Sequence, residues 1–178
     1  MAERGLSGST GGSGGAPNGL TEVDLGPGVS AVFTTAAFDL ADAAGRAALA
    51  AALGRPLVFA NQVHGARLEW IDSLASGRPT CDALASGEHG IGLVIRTADC
   101  VPVLLADVDA GIVAAAHAGW RGLLGGVLDA AVGGLRQRGA RRIGAAIGPA
   151  ICGDCYVVGE DLAARAAGAG HVTRLGAD

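Results

Sequence analysis

From residue 29 onward the chain alternates short apolar runs with Gly, Pro and Asp breaks, and the length of each run decides the element it predicts. Val29 to Thr35, rich in Val, Phe and Thr, predicts a strand. Asp39 to Leu53 spaces its apolar residues as a helix does, and Gly54 and Pro56 end it. Leu57 to Gln62 and Ala66 to Ile71 predict strands on either side of a turn at His64-Gly65. Ile91 to Arg96, Val103 to Ala106 and Ile112 to Ala116 are continuous apolar runs bounded by turn residues, the pattern of buried strands. Asp107 to Gly111 predicts the hairpin turn between the last two. Trp120 to about Arg138 carries a helical stripe of Leu123, Leu124, Val127, Leu128, Ala131 and Leu135, weakened by interior glycines and ended by Gly139. Ile143 to Ile147 predicts a further strand and Gly159 to Ala167 a last helix.

This order predicts an α/β class, in the looser sense of α+β layers: one domain with a mixed sheet packed by helices. Residues 1–20 are Gly- and Ser-rich and predict a disordered tail, which leaves 21–178 as the domain. A length of 178 residues is enough to bury a core within one domain.

Composition removes several functions from consideration. Half the chain is apolar, mostly Ala, Val and Leu, with few aromatics. The basic residues are thirteen arginines, and the net charge is -4. Their scatter is not a nucleic-acid footprint. The one basic cluster, Arg136 to Arg142, fits a solvated helix end better than a phosphate site. No apolar run reaches the ~18 residues of a membrane span, and the N-terminus lacks the pattern of a signal peptide. Four cysteines then predict reduced thiols and a cytoplasmic protein rather than a disulfide scaffold.

Three residues carry the candidate chemistry. Cys100 and His117 stand at the ends of apolar strands, and His64 lies upstream in Asn61-Gln62-Val63-His64-Gly65. Two imidazoles and a thiolate suit zinc, and three protein ligands leave a fourth position for water or substrate. Each also has a plain structural reading. A free cysteine is commonly a small buried hydrophobe, and a histidine among apolar residues is commonly a satisfied core side chain. His117 precedes a helix N-terminus, where free N–H groups and Arg121 would favour an anion such as phosphate. Cys152-Gly153-Asp154-Cys155 is formally a C-x-x-C, yet it lacks a second pair for a closed zinc site and the βαβ start of a thioredoxin-like motif. Reduced loop thiols are the favoured reading there. His89 and His171 read as loop and tail residues.

Several blocks occur in one order: Asn61 to Gly65, Cys81 to Leu84, Thr97 to Leu105, His117 to Gly122, Ile147 to Pro149, and Cys155-Tyr156 with Gly159-Glu160. Together they resemble the laccase-domain or polyphenol oxidase family, also called peptidoglycan editing factor and purine nucleoside phosphorylase. The resemblance spans about residues 30 to 165. It implies a zinc site of His64, Cys100 and His117. It also implies phosphorolysis of adenosine, inosine and methylthioadenosine to base and ribose 1-phosphate, with adenosine deaminase activity beside it. Asp82 or Asp99 would handle protons or orient ligands, with Asp82 preferred, and Arg121 would hold phosphate. The partners implied are purine nucleosides and phosphate, with neither nucleic acid nor membrane; monomer and homodimer both stay open.

The older laccase name meets an obstacle in the residues. Four histidines, two of them in predicted loop or tail positions, are too few for a mononuclear copper and a trinuclear cluster. The chain also departs from the family's pattern. Phe33-Thr34-Thr35 runs into Ala36-Ala37 where an arginine is usual, and Val157 stands where glutamate is common. The chain stops at Asp178 where relatives continue, which predicts a missing C-terminal part and an impaired fragment as one alternative. A Cys-His amide hydrolase acting on peptidoglycan precursors, with Cys100 as nucleophile and His117 as base, is another.

Overall fold

The computed structural model describes residues 19–170. Residues 1–18 of the tail predicted over 1–20 lie outside the described residues, as does His171, whereas Leu20 already belongs to the first strand. The elements run β1 (Leu20–Val23), β2 (Ala31–Thr34), α1 (Ala43–Leu53), β3 (Leu57–Phe59), β4 (Leu68–Trp70), β5 (Ala83–Ser86), β6 (Gly92–Val94), β7 (Val101–Asp107), β8 (Ile112–Ala118), α2 (Trp120–Leu124), α3 (Val127–Gln137), β9 (Gly144–Ile147) and α4 (Glu160–Gly168). A short 3-10 turn covers Leu74–Ser76. The fold is mixed α/β, as expected from the pattern.

The central sheet has five strands in the order β4-β5-β8-β7-β9. β4 and β5 pair in parallel, and the other pairs are antiparallel. β7 and β8 form the hairpin expected at Asp107 to Gly111, with Val103 opposite Ala116 and Leu105 opposite Ala114. Asp107 secures its turn by accepting hydrogen bonds from the Asp109 and Ala110 N–H groups at 3.1 Å. Its other oxygen accepts from the Arg141 and Arg142 N–H groups at 2.6 Å, so one buried carboxylate also fixes the entry to β9. β1 and β2 pair separately, as do β3 and β6.

Alternation along the strands separates two faces. Ala83, Ala85, Val103, Leu105, Ala114, Ala116 and Ala118 pack with Val127, Ala131 and Leu135 of α3. Alanines on the sheet let the helix lie close. Gly134 continues that economy of bulk, because a Cβ there would stand 2.2 Å from the Leu68 side chain. The interior glycine that weakens the helix as an isolated segment therefore serves its packing.

The long helix expected from Trp120 to about Arg138 is two helices. Gly126, at φ +88°, adopts a left-handed conformation that breaks the hydrogen-bond ladder between α2 and α3. Periodicity alone does not reveal the break, since Leu123, Leu124, Val127, Leu128, Ala131 and Leu135 keep helical spacing across it. β5 was also not anticipated: its Ala-Leu-Ala-Ser run is short and weak in strand propensity, but all four residues are buried between β4 and β8.

Candidate metal centre

The three candidate ligands come from two strand ends and one tight turn. β8 delivers His117, and the segment entering β7 delivers Cys100. His64 sits at φ +58°, a left-handed conformation unusual for a side chain with a Cβ. A buried carboxylate holds it there. Asp82 accepts hydrogen bonds from three consecutive backbone N–H groups: Val63 at 3.1 Å, His64 at 2.9 Å and Gly65 at 2.7 Å.

The same carboxylate also meets His117. Asp82 Oδ1 lies 2.8 Å from His117 Nδ1. Asp82 is fully buried and His117 is 3% exposed, so neither is shared with solvent. Burial pushes the Asp82 carboxyl up, but the hydrogen bond from His117 and those from the three backbone N–H groups outweigh it and hold the pKa below its ordinary value. An ionised Asp82 places the proton on Nδ1 and turns the Nε2 lone pair away from itself. The His117 N–H donates to the Asp82 carbonyl at 2.7 Å, tying the two residues through backbone as well.

One ligand atom from each of His64, Cys100 and His117 lies within 4.8 Å of the others, which makes this group able to hold a metal ion. The two imidazoles meet edge to face, with ring centroids 4.7 Å apart. Burial, with the nearby Asp99 and Asp82 carboxylates, pushes the Cys100 thiol up. Exposure falls from His64 through Cys100 to His117, so the group opens to solvent on the His64 side.

Gly119 makes room for this convergence. A Cβ there would stand 2.9 Å from Cys100 Sγ, 3.1 Å from His64 Cδ2 and 3.6 Å from His117 Nε2. Gly122 has a related task, since its Cβ would come 2.6 Å from the Gly65 carbonyl oxygen. Neither role is visible in the sequence without knowing that the turn at His64 folds back onto α2. The pattern His117-Ala118-Gly119-Trp120-Arg121-Gly122 could only mark the place.

The other sequence candidates fall nearby. Asp82 lies at the centre of the group but touches the backbone and His117, while Asp99 is exposed. Arg121 is exposed and stacks its guanidinium 4.4 Å over the Trp120 ring, with Arg165 of α4 5.4 Å from the same ring. α2 has only five residues, so Arg121 rather than the helix end is the cationic feature there. His89 is exposed in a turn, away from the group. A cleft of about 820 Å³ lies against the sheet face opposite α3, between β2, α1 and β6. Thr97, Ala98 and Pro102 line it, which brings its rim to the segment beside Cys100. Among the described residues no helix is long and apolar enough to cross a membrane.

The chain is similar to several known proteins. A Streptomyces coelicolor protein named purine nucleoside phosphorylase is 49% identical over 115 residues, covering 62% of this chain and 48% of that protein. One of the same name from Deinococcus radiodurans is 49% identical over 133 residues, covering 71% and 52%. A prokaryotic protein named adenosine deaminase is 41% identical over 117 residues, covering 60% and 45%. The chain thus spans about half the length of the curated relatives it matches. Among solved structures, YlmD from Geobacillus stearothermophilus superposes with a TM-score of 0.63 at 34% identity, covering 70% of this chain and 52% of that one. Residues 39–175 match the family model described as multi-copper polyphenol oxidoreductase laccase, and the chain belongs to that family.

Proposed function

We propose that this chain carries the zinc-binding part of a purine nucleoside phosphorylase that also deaminates adenosine. The observation that carries the reading is the meeting of His64, Cys100 and His117 around the space left by Gly119, with Asp82 fixing both histidine-bearing segments. Two imidazoles and one thiolate are a donor set suited to zinc, with one position left over. The names of the relatives supply the substrate class: nucleosides and phosphate for the first two, adenosine for the third.

A bound zinc ion would supply Lewis acidity where substrate enters. The remaining work belongs to the protein. Asp82 keeps the proton on His117 Nδ1 and so leaves Nε2 free to face the ligand space. Its three backbone hydrogen bonds hold His64 in a conformation the residue would not adopt unaided. Asp82 is therefore a positioning residue, not the group that exchanges protons with substrate. Arg121, exposed and stacked on Trp120 two residues beyond Gly119, would be the cation that meets phosphate.

The amide-hydrolase alternative needs Cys100 as a reactive thiolate. A Cys-His pair leaves His64 without a task, and that favours the metal reading. The test is incubation of the purified chain with inosine and phosphate, and separately with adenosine. Hypoxanthine with ribose 1-phosphate, and inosine, are expected, each lost on chelation and restored by zinc. Turnover that survives chelation but stops on thiol alkylation would overturn the proposal in favour of the hydrolase-like use of Cys100.

A further inference from the structure

Cys152 and Cys155 lie outside the His64, Cys100 and His117 group, and nothing in the proposed chemistry uses them. They are both exposed, and their Sγ atoms stand 2.8 Å apart in hydrogen-bonding contact. That is within about 0.8 Å of a covalent S–S distance. A turn sets the spacing, with the Cys155 N–H donating to the Cys152 carbonyl at 3.1 Å. The turn is anchored at its base: the Ile151 N–H donates to the Asp99 carbonyl at 3.0 Å, and the Gly148 N–H to the Pro102 carbonyl at 3.0 Å. Both cysteines are exposed, so the two sulfurs can close on each other at the surface.

The two thiols are unequal. The Cys155 thiol steadies the Cys152 thiolate by hydrogen bonding, and backbone N–H groups of the turn add to the effect, so Cys152 titrates below an ordinary cysteine. Cys155, on the other side of that bond, titrates above one. The buried Cys81 provides the internal contrast: burial and the Glu69 and Asp82 charges push it to about 11.

We propose that Cys152 and Cys155 form a thiol–disulfide exchange site for low-molecular-weight disulfides, closing reversibly into an intrachain disulfide. Cys152 attacks one sulfur of the small disulfide; its S–S bond breaks, and one small thiol leaves with a proton. Cys155 then gives up its proton and attacks Cys152 Sγ, releasing the second small thiol. Two protein thiols are oxidised and one small disulfide is reduced to two thiols, so the step needs no other oxidant.

The whole chain, freshly reduced, is equilibrated with glutathione at rising ratios of disulfide to thiol, quenched with acid, alkylated and digested with trypsin. The peptide Ile143 to Arg165 holds both cysteines and no other. It is expected to become lighter by two hydrogens and to escape alkylation as the ratio rises, while Cys81 stays alkylatable after unfolding. C155S is expected to hold a stable glutathione adduct on Cys152, and C152S to acquire one on Cys155 at least about threefold more slowly. Full alkylation of the peptide at every ratio would overturn the proposal. So would two separate glutathione adducts in place of a disulfide, or a reaction that starts only after chelator is added, which would make the pair a metal site. Equal adduct rates in the two variants would overturn the assignment of Cys152 as the attacking thiol.

Discussion

Replacing Asp82 with asparagine changes one atom and tests how the centre is organised. Oδ2 accepts from the Val63 and Gly65 N–H groups; Oδ1 accepts from the His64 N–H and faces His117 Nδ1. The asparagine NH2 must occupy one of these positions. In the Oδ2 position it points two hydrogens at two N–H donors, and the turn loses both bonds. In the Oδ1 position it opposes the His64 N–H and donates to His117 Nδ1. The proton of His117 then moves to Nε2, the atom the metal needs. Each hydrogen bond to a charged group is worth ~1.5–3 kcal/mol, so losing two costs roughly 3–6 kcal/mol before relaxation. Against a total stability of ~5–15 kcal/mol that is a large share. With a urea slope of ~1–3 kcal/mol/M, the midpoint falls by about 1–6 M, and zinc affinity falls by ~10–100-fold. Urea titration followed by fluorescence, together with zinc competition against a chromophoric chelator, reads both quantities. A midpoint within about 0.3 M of the parent, or a zinc affinity within about twofold, would refute the two-sided role assigned to Asp82.

Gly119→Val is expected to lower zinc affinity by at least about tenfold while circular dichroism stays native, because its Cβ would stand 2.9 Å from Cys100 Sγ and 3.1 Å from His64. Undiminished affinity would show that the ligand space does not depend on that gap. Asp107→Asn is expected to lower stability at neutral pH. The backbone N–H groups of Arg142 and Arg141 are the main cause holding this carboxyl below its ordinary 3.8. Its contribution is therefore present above the ordinary value and is lost as pH falls through the lower folded one. Parent and variant melting temperatures should converge in acid, and a gap that widens there would contradict the assignment. Gly134→Val is expected to cost ~1–3 kcal/mol by driving α3 off Leu68, measured by urea unfolding; a neutral result would mean that the helix is not closely seated.

The strands of the central sheet were largely legible as apolar runs, because burial on both faces leaves a plain signature in β7 and β8. β5 was not, since its alanines and serine are placed by their neighbours rather than by propensity. The break between α2 and α3 hid in Gly125-Gly126, where composition warns of weakness without locating a turn. For the centre itself, the motif blocks pointed to His64, Cys100 and His117, and the geometry brings them together. What could not be read was why they meet. Asp82 precedes an alanine-rich run and resembles any strand-end acid until the turn at Val63 to Gly65 folds over it. Gly119 likewise reads as an ordinary helix-opening residue until its missing Cβ is seen as the space beside three side chains. Both roles depend on contacts between segments far apart in sequence, and no local spacing encodes them.

The central claim is that one zinc ion is held by His64, Cys100 and His117, and zinc X-ray absorption of the loaded chain tests it most directly. The account predicts a single sulfur at ~2.3 Å with nitrogen and oxygen neighbours at ~2.0–2.1 Å, the sulfur vanishing in Cys100→Ser and persisting when Cys152 and Cys155 are both replaced by serine. A sulfur shell that survives Cys100→Ser, or that disappears with Cys152 and Cys155, would place the metal elsewhere and contradict the account.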